Sequence, residues 1–177
     1  TQQSGNIFDV GIEFYLELLE KEISKVKNNN IDENQEAEVI YNQNVYIPEN
    51  YIESAERRLF YYKKISLVTT KKEYLDLIEE LLDKFGLVPL EVQNLINISL
   101  IKINLQRMGV HKILIKNSSI VIYSKKFKKL KEIQIEIRNL NSEPKEITKF
   151  LEEKSNIEEI LKSDYEIVNG KFIIDNK

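Results

Sequence analysis

The sequence predicts an α+β fold: a helix-rich N-terminal half followed by a small, mainly antiparallel sheet with a helix. Three observations point to it. Apolar residues recur at helical spacing up to Gly109, and in short runs or strict alternation after it. The helix punctuation lies in the first part and the strongest hairpin signal, Asn169-Gly170, lies near the end. Helices and strands are therefore segregated along the chain, not alternated as in βαβ units.

Residues 9–27 read as an amphipathic helix, with Ile12, Tyr15, Leu16, Leu19, Ile23 and Val26 on one stripe and Asp9 as N-cap. Residues 28–38 are polar, acidic and aperiodic, and read as a linker. Residues 38–47 are β-prone and stop before Pro48, which cannot donate to a ladder. Ser54 opens a helix to about Ser66, with Ala55, Leu59, Tyr62 and Ile65 expected inside. Thr70-Lys-Lys-Glu73 is a capping box, in which hydroxyl and carboxylate each satisfy a free backbone N–H. The helix it opens should close at Gly86, with Tyr74, Leu77, Ile78, Leu81, Leu82 and Phe85 inward. Pro89 opens the next helix and Gly109 ends it. That helix is apolar almost all round, which predicts a buried central position.

After Gly109, residues 112–116 and 120–123 read as strands around Asn117-Ser118-Ser119. Residues 133–138, IQIEIR, alternate strictly and predict a half-buried strand. Ser142-Glu-Pro144 opens a helix to about Leu161, with a break expected near Ser155-Asn156. Residues 165–168 and 171–174 flank Asn169-Gly170 as a terminal hairpin.

Composition narrows the function classes. A chain of 177 residues has room for one domain, or one domain plus a flanking element. It has no Cys and one His, His111, so disulfides, thiolate chemistry and multi-histidine metal sites are excluded. Its five glycines are scattered, so neither a P-loop nor a dinucleotide fingerprint can be built. No catalytic motif is present, and the chain by itself reads as a non-enzyme that needs no cofactor. No apolar run approaches a membrane span, and the N-terminus resembles neither a signal nor a transit peptide. The first residue is Thr, from which an excised piece or a processed chain is expected.

The net charge of −3 is unevenly spread. Residues 1–109 hold 12 Lys/Arg and 18 Asp/Glu, a net −6; residues 110–177 hold 14 and 11, a net +3. Between Lys112 and Lys131 there are seven lysines and no acid. The overall charge argues against a dedicated nucleic-acid binder, while the local run leaves a basic patch at Lys125, Lys126, Lys128, Lys129 and Lys131. A small nucleic-acid-binding module using 112–131 is thus the alternative reading. With Phe127 and Leu130 as anchors, an exposed turn or helix is the favoured reading of the same lysines.

Several motifs together resemble one family. Gln3-Ser4-Gly5 and Val10-Gly11-Ile12-Glu13-Phe14-Tyr15 look like the segment just after the motor core of bacterial transcription-repair coupling factors. The likeness continues through Tyr46-Ile47-Pro48-Glu49-Asn50-Tyr51-Ile52, Arg58-Leu59, Tyr62-Lys63-Lys64-Ile65, Leu82-Asp83-Lys84-Phe85-Gly86, Val88-Pro89 and Met108-Gly109. Residues 110–177 fit in outline only, and the first hairpin turn lacks the glycines that the family usually has there.

The resemblance implies that 1–28 are the tail of a translocation motif (Gln3, Ser4, Gly5) with a connecting helix, and 29–177 a C-terminal regulatory domain. It implies a parent that is an ATP-driven DNA translocase, which removes stalled RNA polymerase and recruits excision repair in the bacterial cytoplasm. ATP and Mg would belong to motor domains absent here. The regulatory domain would pack on a UvrB-like domain of the same protein, hide the surface that binds UvrA and restrain the motor. Contact with UvrA, RNA polymerase and DNA would then run through the parent, with no membrane involved.

An interdomain clamp that must also release suits charge-complementary contacts. Glu73, Asp76, Glu80 and Asp83 form an acidic stripe on helix 71–85, opposite its apolar face. They are the candidate contact, with Glu80 and Asp83 at its centre; the competing reading is a solvated helix face. Tyr46, Pro48, Tyr51, Phe85, Gly86, Pro89 and Gly109 read as structural members of the family pattern.

Overall fold

The computed structural model describes residues 37–43, 45–125 and 132–176. The helix expected over 9–27 and the translocation-motif tail lie outside the described residues, as does the 28/29 boundary. The order is β1 (Glu38–Tyr41), α1 (Ala55–Ser66), α2 (Lys71–Phe85), α3 (Leu90–Met108), β2 (Val110–Ile115), β3 (Ser119–Ser124), β4 (Ile133–Arg138), α4 (Pro144–Glu152), α5 (Ile157–Ile160), β5 (Glu166–Val168) and β6 (Lys171–Asp175).

The strands form one six-stranded sheet in the order β1-β2-β3-β4-β6-β5. β2–β3, β3–β4 and β5–β6 are antiparallel, whereas β1–β2 and β4–β6 are parallel. Both parallel pairs follow from the helices: a chain that leaves the sheet for a helical excursion returns running in the same direction. The mainly antiparallel sheet expected from the hairpin signals is present, with a mixed edge on each side.

One apolar cluster joins sheet and helices. Ile113, Ile120, Ile122, Ile135 and Ile137 meet Ile101, Leu105, Ile147 and Leu151 in it. The alternation in β4 does what it predicts: Ile133, Ile135 and Ile137 are buried, and Gln134 and Glu136 are only partly so. The central position of α3 is also as expected, with burial on more than one face. Its buried polar groups are satisfied locally, Asn97 Nδ2 donating to Gln93 O and Asn104 Nδ2 to Leu100 O. Ser99 Oγ donates to Ile65 O of α1 at 3.1 Å, which ties the two helices.

Arg107 on α3 donates to the carbonyls of Leu151 and Lys154 and so closes the end of α4. The helix opened by Pro144 breaks between Glu152 and Ile157, as the Ser155-Asn156 pair implies. In the terminal turn Asn169 (φ 49°) and Gly170 (φ 75°) both adopt left-handed backbone, the requirement of a tight two-residue hairpin.

Three expectations are corrected. Leu82 of α2, expected inward, is 49% exposed, because the buried stripe of that helix is carried by Leu77 and Leu81. The strand over 38–47 pairs only through Tyr41. Beyond it the chain turns toward α1, where the Tyr62 hydroxyl accepts from Ile47 N at 2.7 Å. On α1 the buried residues are Arg58, Tyr61, Tyr62 and Ile65, while Ala55 and Leu59 are exposed. The inner face is rotated because Arg58 finds acceptors beneath it. Its Nη1 donates to Ile52 O (2.8 Å) and Glu53 O (2.9 Å), and its Nη2 pairs with Glu49 (3.1 Å). A guanidinium with several acceptors can be buried where an unpaired one could not.

Candidate interdomain docking surface

The acidic helix α2 is held at both ends. At its start Thr70 Oγ1 accepts from Glu73 N, and the Glu73 carboxylate accepts from Thr69 N (2.8 Å), Thr69 Oγ1 and Thr70 N. Those bonds, the Thr69 backbone bond foremost, hold the Glu73 carboxyl below its ordinary range. At its end Gly86 has φ 79° and donates to Leu82 O. Gly86 meets a conformation that L side chains rarely adopt.

An aromatic group braces that end. The Phe85 ring lies 5.7 Å from Tyr51 and 5.4 Å from Tyr61, and the Tyr51 hydroxyl donates to Leu81 O at 3.2 Å. Pro48 O accepts from both Tyr51 N and Ile52 N, which folds the preceding loop under α2. Tyr46 is largely exposed. Pro89 precedes the first turn of α3, and Gly109 ends that helix at φ 70°.

The four acids of the stripe have different surroundings. Glu73 serves the cap. Glu80 accepts from the Tyr61 hydroxyl (2.9 Å) and pairs with Lys64 of α1 and with Lys84 (2.8 Å). These partners, Lys64 first, pull its carboxyl down to about 2. Lys84 is in turn raised by Glu80, and burial followed by the Glu80 hydrogen bond raises Tyr61. Asp76 and Asp83 are exposed and make no ion pair among the described residues.

Between them lies Glu79, also exposed and unpaired among the described residues. The sequence reading passed over it. The spacing 76, 79, 83 could have found it, since it is as good a helical stripe as 73, 76, 80, 83. Asp76, Glu79 and Asp83 line one shallow hollow with Glu80 and Leu82. α2 thus presents three carboxylates on a single pinned face, with the exposed Lys72 on the same helical stripe and the ion-paired Glu80 among them.

The other singled-out residues are described only in part. Lys125 is exposed, and Lys126, Lys128, Lys129 and Lys131 lie outside the described residues, as do Gln3, Ser4, Gly5 and Gly11. Lys112 pairs with Glu38 at 3.1 Å and lies over the Tyr123 ring. His111 Nε2 lies 3.0 Å from Glu132. Among the described residues no group of three His, Cys, Asp or Glu could hold a metal, and no helix is long and apolar enough to cross a membrane.

The sequence profile of the TRCF domain matches residues 41–135, more than half of the chain. The chain belongs to the TRCF domain family. It is 28% identical over 157 residues to the transcription-repair-coupling factor of Borreliella burgdorferi, which covers 88% of this chain and 13% of that protein. It is 35% identical over 124 residues to that of Staphylococcus epidermidis (68% and 10%) and 36% identical over 104 residues to that of Rickettsia conorii (58% and 9%). The chain thus spans about one eighth or less of the length of these relatives. A solved crystal structure of the C-terminal domain of transcription-repair coupling factor shares 34% identity, covers 53% of this chain and 56% of its own, and superposes with a TM-score of 0.47. The TRCF match begins at the last residue of β1, takes in the three first helices, β2, β3 and the first half of β4, and therefore the whole of the acidic face.

Proposed function

We propose that this TRCF domain is the regulatory docking module of a transcription-repair coupling factor. The parent is an ATP-dependent DNA translocase that removes stalled RNA polymerase and recruits excision repair. ATP and Mg serve its motor domains, and no catalytic step is assigned to the residues of this chain. In the resting parent the TRCF domain packs on the UvrB-like domain, covers the UvrA-binding surface and restrains the motor.

The observation that carries this reading is the pinned acidic face of α2. Asp76, Glu79 and Asp83 project from a helix fixed by a capping box, the Glu80 ion pairs and an aromatic brace. Rigid presentation lowers the ordering cost of docking, and unpaired carboxylates favour a basic partner surface. Such a contact is strong enough at the high local concentration of a tethered domain, yet can be released. Glu73 and Glu80, by contrast, hold α2 in place.

The test is Asp76→Lys/Asp83→Lys in a full-length coupling factor carrying this domain. The expected result is a several-fold rise in resting ATPase activity, with UvrA binding no longer suppressed. Resting values for both would overturn the proposal.

A further inference from the structure

The exposed leucines beside the acidic face are unexplained by a purely electrostatic clamp. Tyr74, Ile78 and Leu82 follow at i, i+4 and i+8 along α2, and with Leu87 and Val88 they form the apolar side of a groove whose far wall is Gln93 and Asn97 of α3 and Lys145 of α4, away from the acidic face. Leu87 is 88% exposed, Leu90 65% and Leu82 49%. Large apolar side chains grouped in this way on a helix corner mark a contact surface more often than a solvated one.

The corner is rigid as well as apolar. Gly86 donates to Leu82 O at 3.0 Å, and Gln93 Nε2 donates to Val88 O at 2.8 Å. Pro89 fixes the next φ. Leu87 is therefore held outward by a short braced loop, so that burying it against a partner costs little backbone ordering. The groove is also directly beside the charged rim, because Leu82 lines both it and the hollow that holds Asp76, Glu79 and Asp83.

We infer that this groove is the apolar anchor of the docking contact, and that its occupant is a protein surface presenting apolar side chains with Lys or Arg along one flank. Charge complementarity sets the orientation: the basic flank lies on the Asp76–Glu79–Asp83 side, and the apolar ridge enters between Leu82 and Leu87. The inference rests on the proposed docking to the UvrB-like domain and adds what that contact buries. Leu82 and Leu87 supply the tenacity from within the groove, the exposed Leu90 next to Pro89 adds apolar surface outside it, and the carboxylates supply steering and register.

The test is an equilibrium titration of the whole 177-residue chain against the separately produced UvrB-like domain. It runs at about 0.05 and 0.5 M salt and reaches the millimolar concentrations that tethering provides. Three variants are compared with the native chain: Leu87→Ser, Leu87→Ser/Leu90→Ser and Asp76→Lys/Asp83→Lys. Leu87 is almost fully exposed, so its substitution leaves the fold intact, which a thermal melt verifies. The leucine variants are expected to weaken binding about 10-fold or more at both salt concentrations, and the acid variant mainly at low salt. If the leucine variants bind as the native chain does while the acid variant is weakened, the groove is not the anchor and the docking proposal stands. If the native chain does not bind at either salt, the docking proposal fails and the inference fails with it. If the leucine variants abolish self-association of the chain and leave partner binding untouched, the occupant is a second copy and the inference is overturned.

Discussion

Replacing Glu80 by Gln separates the charge that holds α2 from the charges available to a partner. The amide keeps the shape and can still accept from the Tyr61 hydroxyl, so the loss is that of the ion pairs with Lys64 and Lys84. The carboxyl is held at about 2 against an ordinary 4.5. At about 1.36 kcal/mol per pH unit, that gap sets an upper limit of about 3.4 kcal/mol. The lysines are 40% and 53% exposed and the carboxylate 22%, so solvent screening reduces the expected loss to about 1–1.5 kcal/mol.

For a chain of this size that corresponds to a fall in Tm of about 2–6 °C at pH 7. The depressed carboxyl stabilises the fold above the unfolded value of 4.5 and loses that contribution as pH falls toward 2. The difference between the native chain and Glu80→Gln should therefore be full at pH 6–7, shrink below pH 4.5 and fall to about a quarter or less by pH 2.5. Differential scanning calorimetry over that range reads it directly. A Tm equal to the native value at pH 7, or a gap unchanged at pH 2.5, would refute the assignment of Glu80 to the fold.

Three further outcomes follow from the same contacts. Arg58→Met keeps the buried stem but leaves the Ile52 and Glu53 carbonyls without their donor. It should lower stability by about 2–3 kcal/mol in urea titrations, with an unchanged slope. Arg107→Ala uncovers the Leu151 and Lys154 carbonyls at the end of α4 and should cost about 1–2 kcal/mol, read in the same way. Gly170→Ala meets no neighbouring atom within 4 Å, so its cost should be the left-handed backbone alone, about 1 kcal/mol by thermal melt.

The locally coded parts of this fold were legible in the sequence. The capping box at Thr70–Glu73, the Gly86 and Gly109 stops, the alternation at 133–138 and the Asn169-Gly170 turn each depend on residues within a few positions, and each is present. What was not legible depends on partners far apart in the chain. The parallel pairing of β1 with β2 joins segments some 70 residues apart, and no local pattern encodes it. Arg58 reads as a surface residue until the loop over Glu49–Glu53 folds beneath it.

The candidate surface divides in the same way. The helix and its acids were visible, but the pairing of Glu80 with Lys64 joins two helices and could not be read from spacing. That pairing makes Asp76, Glu79 and Asp83, and not Glu80, the carboxylates open to a partner. The leucine corner was hidden for a related reason. Leu82 lies on the helical stripe expected to be buried, and only the packed helices show that the core ends at Leu81.

Side-chain footprinting of a full-length coupling factor carrying this domain tests the docking account most directly. Carboxyl labelling of Asp76, Glu79 and Asp83 is compared between the resting parent and this chain alone, with the exposed Glu56 of α1 as internal reference. The account predicts labelling several-fold lower in the resting parent at all three acids, and restored when the UvrB-like domain is removed. Equal labelling of the three acids in parent and isolated chain would contradict it.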